Sequence, residues 1–250
     1  MEQEKKDSAV KPKLTPSLQI FEEALKTWWP NLKKFAMMYV WGMLYALIPV
    51  VVCLAFFGLN LITGLRTNIF FSLLSFIVFI VALAFIIYFL SRSYIGILLL
   101  IKNDYVGQEK EIFKDTKKWF WPYIGLSLLT ALFLFLWFCL LIIPSIIFSV
   151  FYCFATYVLF FENKRGRAAI KRSVQLVKSY WWAVFGRFCQ VGLVVCLLLY
   201  VVSFPFMFMD EGTLMFSIWN AITQVISMLI APFTMLFSYR IYKDLVKIKK

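Results

Sequence analysis

Six apolar blocks, each long enough to cross a bilayer, constrain this chain more than any other feature. They fall at about 35–59, 69–90, 122–143, 145–161, 183–209 and 214–239. One span takes about 20 apolar residues, and a soluble helical core has no use for runs of that length. The composition agrees, with 62% apolar and 16% charged residues where soluble domains average about 45–50% and about 25%. The sequence therefore predicts an all-α polytopic membrane protein with six transmembrane helices. The third and fourth blocks are separated only by Pro144. Residues 121–161 are about twice the crossing length, so they read as two spans broken at a proline that cannot continue helical hydrogen bonding. One span plus a re-entrant segment is the alternative. The second block has an apolar extension, 94–101, beyond Arg92. A helix over 69–101 would run about 50 Å at 1.5 Å per residue, so the extension is expected to leave the hydrocarbon core and follow the interface.

Charge gives the orientation. Of the 26 lysines and arginines, 25 lie in the leader and first helix, in 92–118, in 164–187 and in the tail from Arg240; the opposite loops hold only Arg66. The positive-inside rule then places both termini in the cytoplasm with an even number of spans. The net charge of +13 follows from that topology, and no nucleic-acid-binding motif accompanies it. Residues 1–15 read as a disordered charged leader, without the apolar core of a signal peptide. The membrane domain runs over 16–245, and 246–250 form a basic tail.

Each outward span is preceded by an amphipathic segment. In the first, over 16–29, Leu18, Phe21, Leu25 and Trp28 share one face. In the second, over 111–121, Ile112, Phe113, Thr116, Trp119 and Phe120 do so. In the third, over 167–182, Ile170, Val174, Val177 and Trp181 oppose a basic face of Lys171, Arg172 and Lys178. Apolar and basic faces of this kind suit a helix lying in the membrane interface. All three end in tryptophans, Trp28 and Trp29, Trp119 and Trp121, Trp181 and Trp182, the residue that anchors at that depth. The first two segments align without gaps at an offset of 92, Phe21 onto Phe113 and Trp29 onto Trp121, and the inward spans end alike in FLSR (89–92) and FSYR (237–240). The pattern predicts three repeats, about 16–101, 102–162 and 163–245, each an interfacial helix followed by a transmembrane hairpin.

Little in the chain points to catalysis. It contains no histidine, the commonest general base and zinc ligand. None of its thirteen carboxylates falls at the middle of a predicted span, where ion-coupled transporters carry theirs. The five cysteines lie in apolar blocks without a C-x-x-C pair, and no phosphate-binding G-x-x-x-x-G-K-[ST] is present. No catalytic residue, cofactor or metal site is predicted. Arg92 and Arg187, near the cytoplasmic ends of spans, can snorkel to the interface or, with Lys171, Arg172 and Lys178, meet acidic headgroups. Ser217, Asn220, Gln224 and Ser227 recur at helical spacing on the sixth span, a stripe that either glues helices or lines a polar passage.

Residues 140–187 carry a resemblance. LLIIPSIIFS (140–149) leads into an aromatic span ending in Phe161-Glu162, followed by AAIKRS (168–173) and LVKSYWW (176–182). This resembles the bacterial membrane-domain family named after glycerophosphoryl diester phosphodiesterases, with Glu162, Ala169, Ser173 and Trp182 at its characteristic positions and Ser145 where the family has glycine. The tail over 239–245 is similar to that family's ending. The resemblance implies a bacterial inner-membrane domain without the soluble catalytic portion. The expectation is a non-enzymatic accessory or scaffolding membrane protein. Its partners would be the bilayer, anionic phospholipid and a membrane or cytoplasmic protein, not nucleic acid. The alternative is a transporter or permease subunit for a small or amphiphilic solute.

Overall fold

The computed structural model describes residues 14–62, 69–210 and 212–249. Most of the expected leader, Gly64 and Arg66 of one loop, and Glu211 lie outside them. The elements are α1 (Ser17–Ile62), α2 (Ile69–Lys102), α3 (Glu109–Leu140), α4 (Ile142–Tyr152), α5 (Ala155–Glu162), α6 (Gly166–Val177), α7 (Trp181–Ser203), a 3-10 turn (Phe204–Phe208) and α8 (Leu214–Ile248). The fold is all-α, with six helices long and apolar enough to cross a membrane; α4 and α5 together make the fourth.

The break inside 121–161 falls at Leu141, whose backbone is extended. Pro144 then sits in the first turn of α4, where its missing N–H has no intrahelical partner to lose. The chain reverses there, and Trp137 stacks on Phe148 with centroids 4.0 Å apart. The fourth crossing breaks again between Tyr152 and Ala155. The carbonyl of Phe151 is met there by the hydroxyl of Ser173, which donates to it at 2.7 Å from α6.

Two of the three amphipathic segments are not separate helices. The first continues through Pro30 into a 46-residue α1, and the second through Pro122 into α3. One proline removes one backbone bond, and surrounding helices re-satisfy the freed carbonyl often enough that membrane helices carry prolines inside them. Only the third stands alone, as α6, separated from α7 by a turn at 178–180.

At about 1.5 Å per residue, α1 is about 69 Å long and α8 about 53 Å, well beyond the roughly 30 Å of a hydrocarbon core. The surplus length lies at one end of the bundle, the charged end, which holds the 103–108 and 163–165 connections and both chain ends of the described structure. Here the packed core sits, with Phe35, Met38, Phe154, Phe160 and Phe237 fully buried. The apolar extension at 94–101 belongs to this core rather than to an interface. Ile95 and residues 97–101 are all buried, because a stretch apolar on every side needs cover on every side. The second and third amphipathic faces turn inward too, burying Ile112, Phe113, Ile170 and Val177; in the first segment it is Ile20 and Ala24 that are buried, while Leu18 and Leu25 of the expected face stay exposed. At the opposite end the helices expose large apolar side chains, among them Leu54, Phe70, Leu140 and Leu214, the surface a lipid solvent covers.

Candidate functional site: three joints at the charged end

Three side-chain joints organise the charged end. Each ties the end of one returning helix to the amphipathic segment of the next unit. On α2, Arg92 donates through Nε to Thr116 Oγ1 at 2.8 Å and through Nη2 to the Phe113 carbonyl at 2.6 Å. On α8, Arg240 donates through Nη2 to Thr27 Oγ1 of α1 at 3.1 Å, and its Nη1 lies 3.4 Å from Glu23 Oε2. Between them the charges are exchanged. Glu162 ends α5 and accepts from Arg172 of α6 at 3.2 Å. The order α2 to α3, α5 to α6, and α8 back to α1 closes a ring.

Apolar and aromatic contacts follow the same order. Phe21 and Trp28 of α1 pack edge-on against Phe233 of α8, and Trp28 Nε1 donates to the Leu229 carbonyl. Trp119 of α3 lies under the Lys102 ammonium at the end of α2, 4.9 Å from its centroid. Trp181 Nε1 donates to the Ile147 carbonyl of α4. In each segment one tryptophan is engaged by the preceding unit. Its companion, Trp29, Trp121 or Trp182, is 70, 77 or 78% exposed.

The three joints differ in charge. Glu162 also accepts from Lys164 at 2.8 Å and from the Tyr242 hydroxyl at 3.2 Å, so a half-buried carboxylate gathers two cations and a phenol. Arg240 has Glu23. The Arg92 joint has no carboxylate among the described residues. Its guanidinium lies 4.4 Å above the Phe113 ring, and Phe113 stacks on Tyr45. Beside it opens a cleft of about 340 Å³ whose wall includes Trp41, Tyr45, Arg92, Lys110, Lys114 and Lys117. The three lysines follow a 4–3 spacing on one face of α3, and Lys110 approaches the Trp41 ring at 5.9 Å. At the 92-residue offset the counterpart of Glu23 is Asp115. That residue faces away from the joint, 61% exposed, and pairs with Lys118.

The sequence-predicted residues are spread over this frame. Arg92 and Arg172 belong to two of the joints. Arg187 donates to the Ala183 and Thr15 carbonyls at 2.9 and 2.6 Å. Lys171 and Lys178 are exposed. Lys249 donates to the Gln175 carbonyl of α6; burial, with Arg172 and Lys178 beside it, holds its ammonium below the ordinary lysine value. Ser217, Asn220, Gln224 and Ser227 are exposed on α8, and their hydrogen bonds run along that helix, to Thr213, between Gln224 and Asn220, and to Thr223. Sequence reasoning passed over Glu23, Lys110, Lys114, Lys117, Arg240 and Tyr242. The FLSR and FSYR echo was the one signal that pointed to Arg240. Among the described residues no three His, Cys, Asp or Glu side chains come together as a metal site.

No family model, curated protein or solved structure matches the chain.

Proposed function

We propose that the chain is a non-enzymatic, multi-pass protein of a bacterial inner membrane, with three transmembrane hairpins, each entered through an amphipathic segment. In this reading both termini and the charged end face the cytoplasm, and the chain acts as an accessory or scaffolding domain held against anionic phospholipid. The observation that carries it is the division of the molecule into two layers. One end is a packed apolar core surrounded by lysines and arginines and by the exposed Trp29, Trp121 and Trp182; the other is helices clothed in apolar side chains. Tryptophan prefers headgroup depth, and each basic residue near an anionic leaflet gains about 1 kcal/mol. The resemblance to the membrane domain of glycerophosphoryl diester phosphodiesterases is consistent with this plan and brings no phosphodiester chemistry. Glu162 and Ser173, two positions of that resemblance, have structural work here, as the acceptor for Arg172 and the donor to the α4–α5 break.

A solute path is the second reading. It is favoured by the polar stripe on α8, whose exposed amides face away from any partner helix among the described residues.

Reporter fusions test the topology. Fusions after Lys110, Arg165 and Lys249 are expected to report cytoplasm, and fusions after Gly64 and Glu211 the outside. A cytoplasmic signal at Glu211 would overturn the six-span arrangement.

A further inference from the structure

We propose that the cleft at the Arg92 joint binds a phosphate-bearing anion with an adjoining apolar group, which supplies the negative charge that the other two joints carry as Glu162 and Glu23. The inference rests on the reading that the charged end lies at a bilayer leaflet.

Three observations lead to it. The first is the comparison within the ring. Arg172 has Glu162 and Arg240 has Glu23, whereas among the described residues Arg92 donates to a hydroxyl and a carbonyl, lies over aromatic rings and meets no carboxylate. Its Nη1 has no partner among the described residues. The second is the lysine face. Lys110, Lys114 and Lys117 border the same cleft, and among the described residues none of them pairs with a carboxylate. Four cations around one opening repel each other until an anion enters. A phosphate oxyanion suits a guanidinium held at a fixed angle together with mobile ammonium groups. The third is the floor. Tyr45 stacks on Phe89 and Phe113, at interplanar angles of 15° and 5°, and continues to Trp41. A sulfate or phosphate alone has no use for such a surface, whereas an acyl chain or glycerol backbone covers it. The volume of about 340 Å³ falls among small-molecule pockets, which run from about 300 to 1,000 Å³. A phospholipid headgroup and a soluble phosphate ester share this chemistry.

The test uses the full chain, purified in neutral detergent, stripped of lipid and titrated with phosphatidylglycerol or phosphatidylcholine while bound lipid is counted by native mass spectrometry. Phosphatidylglycerol is expected to occupy one site in preference to phosphatidylcholine. The variant K114Q/K117Q removes two cations whose side chains are exposed and hold no helix in place; it is expected to weaken that site about tenfold or more. R92Q is expected to do the same, and K114Q/K117Q keeps the test valid if R92Q fails to fold. The control K243Q/K247Q, at two exposed lysines of α8, is expected to change binding less than about twofold. Glycerol 3-phosphate separates the sources. Competition at millimolar concentration assigns the site to a soluble ester, and its failure to compete assigns it to lipid; either supports the phosphate chemistry. Unchanged binding in K114Q/K117Q, or an equal loss in K243Q/K247Q, overturns the cleft. The topology fusions read out independently, so loss of the cleft with a cytoplasmic charged end leaves the broader reading in place.

Discussion

At the α5–α6 joint a carboxylate with 19% of its side chain exposed accepts from Arg172, Lys164 and Tyr242. At the α2–α3 joint a guanidinium bonds to a hydroxyl and a carbonyl and looks out on three lysines. Both tie a returning helix to the amphipathic segment that follows it, so the mechanical task is the same. Electrostatics separates them. A joint built around a carboxylate can close over itself, because each of its cations has an acceptor in place. A joint whose cations meet no carboxylate stays open, since closing it would push like charges together with no compensation. One region of the molecule is therefore suited to hold its shape and another to receive something.

The largest effect should come from removing the compensation. Glu162→Ala leaves the half-buried Arg172 without its acceptor and strips Tyr242 and Lys164 of theirs. Hydrogen bonds to charged groups are each worth about 1.5–3 kcal/mol, so a loss of about 3 kcal/mol is expected, read as a lower unfolding temperature in detergent. An unchanged transition would mean that Arg172 turns freely to solvent and that the Glu162 carboxylate does no structural work.

The smallest effect belongs to the α8–α1 joint, which sharpens the comparison from the other side. Arg240 and Glu23 are 30 and 42% exposed along their side chains. Pairs in that setting contribute about 0–1 kcal/mol. Arg240→Gln should therefore shift stability by less than about 1 kcal/mol, and the difference should shrink as salt rises. A loss as large as that of Glu162→Ala would show that the half-buried carboxylate is not what distinguishes the joints.

Six helices of crossing length were legible in the sequence because a lipid-facing helix announces itself by composition alone. The break near Pro144 was legible too, since proline acts locally, although the chain turns three residues earlier. What the pattern could not separate was lipid from protein as the apolar partner. Residues 94–101 are as hydrophobic as a span and were expected at an interface, yet 95–101 are buried within the protein core. The stripe of Ile170, Val174, Val177 and Trp181 has the same ambiguity, and Ile170 and Val177 are buried against the protein. Pro30 and Pro122 look like helix boundaries in the sequence, but each costs one backbone bond that neighbouring structure can absorb. The arginines were visible as charges near span ends. Their acceptors were not: the Thr15 carbonyl that meets Arg187 lies 172 residues away, and no local spacing encodes such a contact. The cleft draws its wall from α1, α2 and α3 and exists only once all three are in place.

In the reading proposed above, three copies of one unit set their amphipathic segments at one level of one leaflet. On that reading Trp29, Trp121 and Trp182, each the exposed member of its pair, would mark that level. Spin labels placed singly through W29C, W121C and W182C in the full chain, reconstituted into anionic bilayers, report depth through their relative collisions with oxygen and with a water-soluble relaxant. The account predicts that all three lie at headgroup depth and within about 5 Å of one another, one helical turn. A label at the bilayer centre, or one in bulk water while the other two stay at the interface, would contradict it.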